Sequence, residues 1–151
     1  MHSFRAARRC DLVAIIELLA DDDLGKTREI ASDPPDPRYI LAFAAIDTDP
    51  NQLLAVATDD GDRVLGCLQL TFIPGLSRTG TWRGQIESVR IARSVRGSGL
   101  GSRFIEWAVE RSAERGCGLV QLTSDKTRPD SIRFYEQLGF VASHEGLKRN
   151  L

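Results

Sequence analysis

The chain has 151 residues, 42% of them apolar and 27% charged, with 20 Lys and Arg against 21 Asp and Glu. Enough apolar residues are present for one folded domain over residues 1–151, and disorder is disfavoured. A net charge of −1 supplies no general pull toward nucleic acid or an anionic membrane, and no run of about 18 apolar residues is available to span a bilayer.

Residues 2–7 read as a short strand. Leu12, Ile15, Ile16 and Leu19 then recur at i, i+3, i+4 and i+7, one apolar stripe on a helix that Asp21-Asp22-Asp23-Leu24-Gly25 ends. Ser32-Asp33-Pro34-Pro35-Asp36-Pro37 is a loop. Asp36 as N-cap and Pro37 at the first helical position start a second helix, expected to run to about Ala45. Leu53–Thr58 and Val64–Ile73 are apolar runs joined by Asp59-Asp60-Gly61-Asp62, which predicts a hairpin. A Gly-containing connection, residues 74–84, leads to a third strand over Gln85–Ala92.

A helix with Leu100, Phe104, Trp107 and Ala108 on one face follows Arg93–Gly99, and Gly116 and Gly118 close it. Leu119–Thr123 is a strand. Pro129–Leu138 is a short helix with Gly139 placed to cap it in the left-handed conformation. A last strand is expected from Val141 onward. The order β-α-α-β-β-β-α-β-α-β predicts an α+β fold, a mixed and mostly antiparallel sheet flanked by helices. Cys10, Cys67 and Cys117 are scattered and form no CxxC pair, so neither a disulfide framework nor a zinc site is expected. Met1–Arg5 lacks the apolar stretch of a signal peptide, and a cytoplasmic location is the expectation.

The segment from Val89 to Ser102 carries the most chemical information. A strand feeds a glycine turn, Arg96-Gly97-Ser98-Gly99-Leu100-Gly101, that feeds a helix. Glycines let successive N–H groups point one way, the first helical N–H groups lack internal partners, and the helix dipole adds partial positive charge. A phosphate or diphosphate suits such a site. The turn is no P-loop, because Ser102-Arg103 stands where Lys and Ser/Thr are required. It is a poor dinucleotide fingerprint, because about 50 residues remain after it. Spacing alone leaves open a plain strand-to-helix corner.

Three blocks together are more specific. Arg96-Gly97-Ser98-Gly99-Leu100-Gly101 resembles the Arg/Gln-x-x-Gly-x-Gly/Ala signature of the GNAT N-acetyltransferases. Glu87-Ser88-Val89-Arg90-Ile91 is similar to that family's central strand, and Arg133-Phe134-Tyr135-Glu136-Gln137-Leu138-Gly139-Phe140 to its Phe-Tyr-x-x-x-Gly-Phe block. The resemblance implies acetyl-CoA as co-substrate, with no metal. It places the coenzyme on Val89, Arg90 and Ile91 of the strand and on Arg96, Gly97, Ser98, Gly99, Leu100, Gly101 and Ser102 of the turn. Strand-like bonding to the pantetheine requires the strand edge to splay from its neighbour, which the family achieves with a β-bulge.

The implied reaction is direct transfer of acetyl to an amine in a ternary complex. An ammonium must lose a proton to become a nucleophile, and the leaving thiolate must gain one. Glu87 is the candidate base, directly or through water. In an unbroken strand it shares a face with Gln85, Val89 and Ile91, which predicts desolvation and a raised pKa. A rim carboxylate paired with Arg83 or Arg90 is the alternative. Tyr135 is the candidate acid, in helical register with Ser131, Phe134 and Leu138; a core tyrosine is the alternative. Arg128 stands where many family members have Asn, and Ser131 where many have Ala.

Asp21–Asp23, Trp82 with Arg78 and Arg83, and Ser143-His144 are candidates for the acceptor pocket. The expected acceptor is a small primary amine. A protein amine, or a coenzyme-binding module without catalysis, are the alternatives. Homodimers are common in that family, and nucleic-acid and membrane partners are not expected.

Overall fold

A computed structural model describes residues 1–151. Its five strands form one sheet in the order β1 (Ser3–Ala6), β2 (Gln52–Thr58), β3 (Val64–Ile73), β4 (Arg83–Ile91) and β5 (Leu119–Leu122). Neighbours are antiparallel except β4 and β5, which are parallel and joined by the crossover helix α5 (Leu100–Glu114). The expected hairpin is β2–β3. Asp59 makes its turn, its carboxylate accepting from the N–H groups of Gly61 and Arg63.

Before the hairpin lie α1 (Leu12–Ala20), the one-turn α2 (Gly25–Arg28) and α3 (Pro37–Thr48). Asp36 caps α3 by accepting from the Arg38 N–H, with Pro37 at its first position. After it come a single turn, α4 (Ser77–Gly80), and finally α6 (Pro129–Gln137), followed by Gly139 at φ +85°. The short α2 and α4 are single turns without a periodic apolar stripe, so residue patterning does not foretell them.

Each face of the sheet owns a core. Leu68, Leu70, Phe72 and Ile86 pack against Leu100, Phe104, Ile105 and Ala108 of α5. On the other face Val56 and Cys67 meet Leu12, Ile15 and Ile16 of α1 and Phe43 of α3. The apolar stripes at helical spacing are therefore the two buried seams. Gly84 lets α5 sit close, since a Cβ there would collide with the Ser112 Oγ.

No strand forms after Val141. The tail is irregular, with Val141 81% and Leu147 94% exposed. The segment Ser143-His144-Glu145-Gly146 lacks the alternation that would bury one side; Lys126 pairs with Glu145, and the Ser143 Oγ lies 2.7 Å from the His144 Nδ1. No helix is long and apolar enough to cross a membrane.

Asp11, just before α1, is the main buried ion on the α1–α3 side. It receives two bonds from Arg5, at 2.7 and 3.0 Å, and one from the Arg8 N–H at 2.7 Å. Burial pushes its carboxyl up, but Arg5 and the Arg8 amide outweigh this and hold it below the usual aspartate range. A depressed folded-state value stabilises the fold above the unfolded-state value, about 3.9, and this is lost as pH falls through the folded one. Asp11→Asn is expected to cost about 2 kcal/mol at pH 7, because Arg5 keeps Asp62 as a second partner. Urea unfolding at pH 7 and pH 3 checks it: the gap between variant and wild type should shrink in acid.

Candidate functional site

The centre of the site is an irregularity in β4. On β3, Cys67 opposes Arg90 and Gln69 opposes Glu87, so Ser88 and Val89 together face the single residue Leu68. This is a β-bulge, and Ser88 takes φ +55°. A serine in the left-handed region costs about 1 kcal/mol or more, the kind of strain that surrounding structure must hold in place. On the other edge, pairing with β5 ends at Ile86–Leu122, while β4 continues to Ile91. From Glu87 to Ile91 that edge has no strand partner. The two strands open into a cleft where the bulge sits.

The bulge also changes which side chains share a face. Past it the alternation is reset, so Glu87 lies with Gln85 and Arg90, whereas Ile91 lies on the α5 side with Ile86. The expected grouping of Glu87 with Val89 and Ile91 is therefore corrected. Glu87 is exposed, and the desolvation expected of it is absent. It is not paired with Arg83 or Arg90 either. Arg90 donates to Asp22 at 3.1 Å and to the Val89 carbonyl at 2.9 Å, and its Nε is buried without a partner.

The cleft leads to the glycine turn. Gly97 and Gly99 have φ +79°, and a Cβ on either would meet nothing within 4 Å. The N–H groups of Gly97, Gly99, Leu100, Gly101 and Ser102 have no acceptor in the chain, while Arg103 bonds back to the Gly99 carbonyl as α5 begins. Five free amides within six residues at the start of a 15-residue helix are an anion cradle. The residues present fit a diphosphate.

Arginines surround the cradle, and each is already matched. Arg96 donates to the Ile91 carbonyl at 2.9 Å and reaches Asp21 at 3.5 Å; Arg93 reaches Asp21 at 3.0 Å. Asp22 accepts from Arg128 and Arg90, both at 3.1 Å, and from the Gly25 N–H. Burial raises the Asp22 carboxyl, but the Gly25 amide and the two guanidinium groups together hold it below its ordinary value. Asp21 and Asp22 thus line a cavity of about 550 Å³ together with Arg93, Arg96, Thr127 and Arg128. They are ion-paired walls, not free carboxylates awaiting a cation. Arg128, which departs from the family pattern, is a tie between α6 and the α1–α2 loop.

Tyr135 packs against Phe134 and Phe140, at ring separations of 5.0 and 5.8 Å, and its hydroxyl has no hydrogen-bond partner in the chain. Burial pushes its phenol up and the positive charge of Arg90 partly offsets this, so it holds its proton through the neutral range. Cys67 is fully buried and its thiol is pushed up to about 12, which leaves it no role as a nucleophile. Trp82 packs on the α5-side core and Arg78 is exposed in α4. No group of three or more His, Cys, Asp or Glu side chains is placed to hold a metal ion.

Residues 12–140 match the model of the acetyltransferase (GNAT) family. The chain belongs to the GNAT family. Among GNAT relatives of known activity, an aminoalkylphosphonate N-acetyltransferase of Salmonella typhimurium is 32% identical over 102 residues, 68% of this chain and 65% of that enzyme. A glucosamine 6-phosphate N-acetyltransferase of Trypanosoma brucei brucei is 37% identical over 89 residues, 59% of this chain and 58% of that enzyme. The matches thus span less than two thirds of those relatives. A crystal structure of a transcriptional regulator from Bacillus halodurans C-125 superimposes with a TM-score of 0.97 at 49% identity, each chain covered in full. The α+β fold is accordingly the GNAT fold.

Proposed function

We propose that this GNAT chain is one acetyltransferase domain that moves acetyl from acetyl-CoA to the primary amine of a small molecule, by direct attack in a ternary complex. The observation that carries the reading is the unpaired edge of β4, Glu87–Ile91, running from the bulge into the glycine cradle. That edge offers strand-like bonding to the pantetheine, and the free amides of Gly97 and of residues 99–102 offer hydrogen bonds to the diphosphate. Glu87, exposed at the cleft, takes the proton from the ammonium. Tyr135, protonated at neutral pH, supplies one to the leaving thiolate. The buried thiol of Cys67 favours attack without an acyl-enzyme.

Both relatives are named for small amines that carry a phosphonate or a phosphate, which supports a small-molecule acceptor. DNA binding is not favoured for this chain, whose 20 basic residues are balanced by 21 acidic ones. A thiol-release assay with acetyl-CoA against small amines and against peptides tests the reading. Turnover is expected on small amines; turnover on peptides alone would overturn it.

Asp21 holds the two arginines that flank the cradle, so a bound diphosphate competes with its carboxylate. Asp21→Asn should tighten acetyl-CoA binding roughly threefold, the scale of exposed ion pairs. Calorimetric titration checks this, and weaker binding would mean that Asp21 serves to orient Arg96.

A further inference from the structure

The face of the sheet that carries Glu87 holds a second feature that the transfer chemistry does not use. Gln52 of β2, Thr71 of β3, Gln85 of β4 and Gln121 of β5 stand directly opposite one another, a polar row across four strands. Gln69, the cross-strand partner of Glu87, lies on the next rung of the same face. These five side chains are half-buried. They lie beyond the apolar cluster that α1 and α3 make over Val56 and Cys67.

The row is ordered by its own hydrogen bonds. The Gln52 Oε1 accepts from the Gln69 Nε2 and from the Thr71 Oγ1, both at 2.9 Å, and the Gln85 Oε1 accepts from the Gln121 Nε2 at 2.7 Å. Four groups are left without a partner in the chain: the amide NH₂ of Gln52 and Gln85, and the amide oxygens of Gln69 and Gln121. Fixed donors and acceptors therefore face outward, one rung from Glu87, roughly 7 Å along β4. None of the four groups is sealed from solvent, so each is open to a ligand as well as to water.

We infer that this amide row is the floor of the acceptor subsite, and that the acceptor is an amine whose carbon skeleton carries several hydroxyl groups. The inference rests on the acetyl-transfer reading above. A hydroxyl both donates and accepts, which is what alternating NH₂ and C=O groups complement. The row bears no charge, so it offers no ion pair to an acidic or strongly basic body. A peptide is the poorer match, because peptides added to a sheet bond to a strand edge, and this is a face. An acceptor lying on the row places its amine at Glu87, beside the open edge of β4.

The test uses the full chain saturated with coenzyme A, with D-glucosamine and cyclohexylamine as probes, two six-membered-ring amines that differ in their hydroxyls. Glucosamine is expected to bind at least about tenfold more tightly. Gln85→Leu and Gln121→Leu should each remove most of that preference, with retained acetyl-CoA affinity reporting an intact fold. Equal binding of the two amines, binding of neither, or a preference unchanged in both variants would overturn the inference. The wild-type comparison stands even if a variant misfolds. Failure here with acetyl-CoA bound and turnover on another small amine leaves the acetyltransferase reading in place; failure to bind acetyl-CoA removes both.

Discussion

Glu87→Gln should lower kcat about 10²- to 10³-fold while acetyl-CoA affinity stays within about twofold. The carboxylate is exposed at the mouth of the cleft, on the face that α1 and α3 leave open beyond Cys67. It forms no ion pair, so its loss leaves no buried charge behind and the fold should tolerate the amide. The amide keeps size and hydrogen bonding and loses only the capacity to accept a proton. The variant then depends on acceptor molecules that arrive already deprotonated. Its kcat/KM should rise about tenfold per pH unit below the acceptor's own pKa, where the wild type is flatter. Thiol release measured from pH 6 to 9 reads both effects. A variant with wild-type turnover and a wild-type pH profile would remove Glu87 as the base.

The second large effect is expected at the cradle. Gly99→Val should weaken acetyl-CoA binding about 30-fold, or roughly 2 kcal/mol. Gly99 is the N-cap of α5 at φ +79°, a conformation that a β-branched residue adopts at a cost of about 1–2 kcal/mol. Relief of that strain turns the amides of Gly99, Leu100 and Gly101 away from a common target, and charge-assisted hydrogen bonds to the diphosphate are lost with them. Gly116 is the control. It has φ +84° at the far end of the same helix, away from the cleft, so Gly116→Val carries the backbone cost alone. The two variants should lose similar stability in thermal unfolding, yet only Gly99→Val should lose coenzyme affinity. Equal affinity in both would contradict the cradle.

Local signals carried most of the fold. Val64–Ile73 is the predicted strand residue for residue, Asp36-Pro37 starts α3, and Gly139 caps α6, because alternation, capping and left-handed glycines are properties of short segments. The glycine turn and the order of the five strands and four longer helices followed from the same signals. What the sequence hid depends on long-range partners. Period-two alternation assumes an unbroken strand; the β-bulge that the resemblance implies has its place only against β3, at Ser88, and moves Val89 and Ile91 off the face of Glu87. As sequence, Asp21 and Asp22 are candidates to hold an acceptor; that they are ion-paired does not show, because Arg93, Arg96 and Arg128 are 72 to 106 positions away in the chain. The amide row joins four residues that only strand register brings side by side. The strand expected from Val141 onward does not form, because nothing around Val141 buries its side chain.

Calorimetric titration of acetyl-CoA into the wild-type chain tests the account most directly. It should give a saturable heat with one site per chain. At a coenzyme concentration about 100-fold above Kd, binding should add about 2.7 kcal/mol of stability, visible as a rise of several degrees in Tm. No heat and no rise in Tm at saturating coenzyme would contradict it.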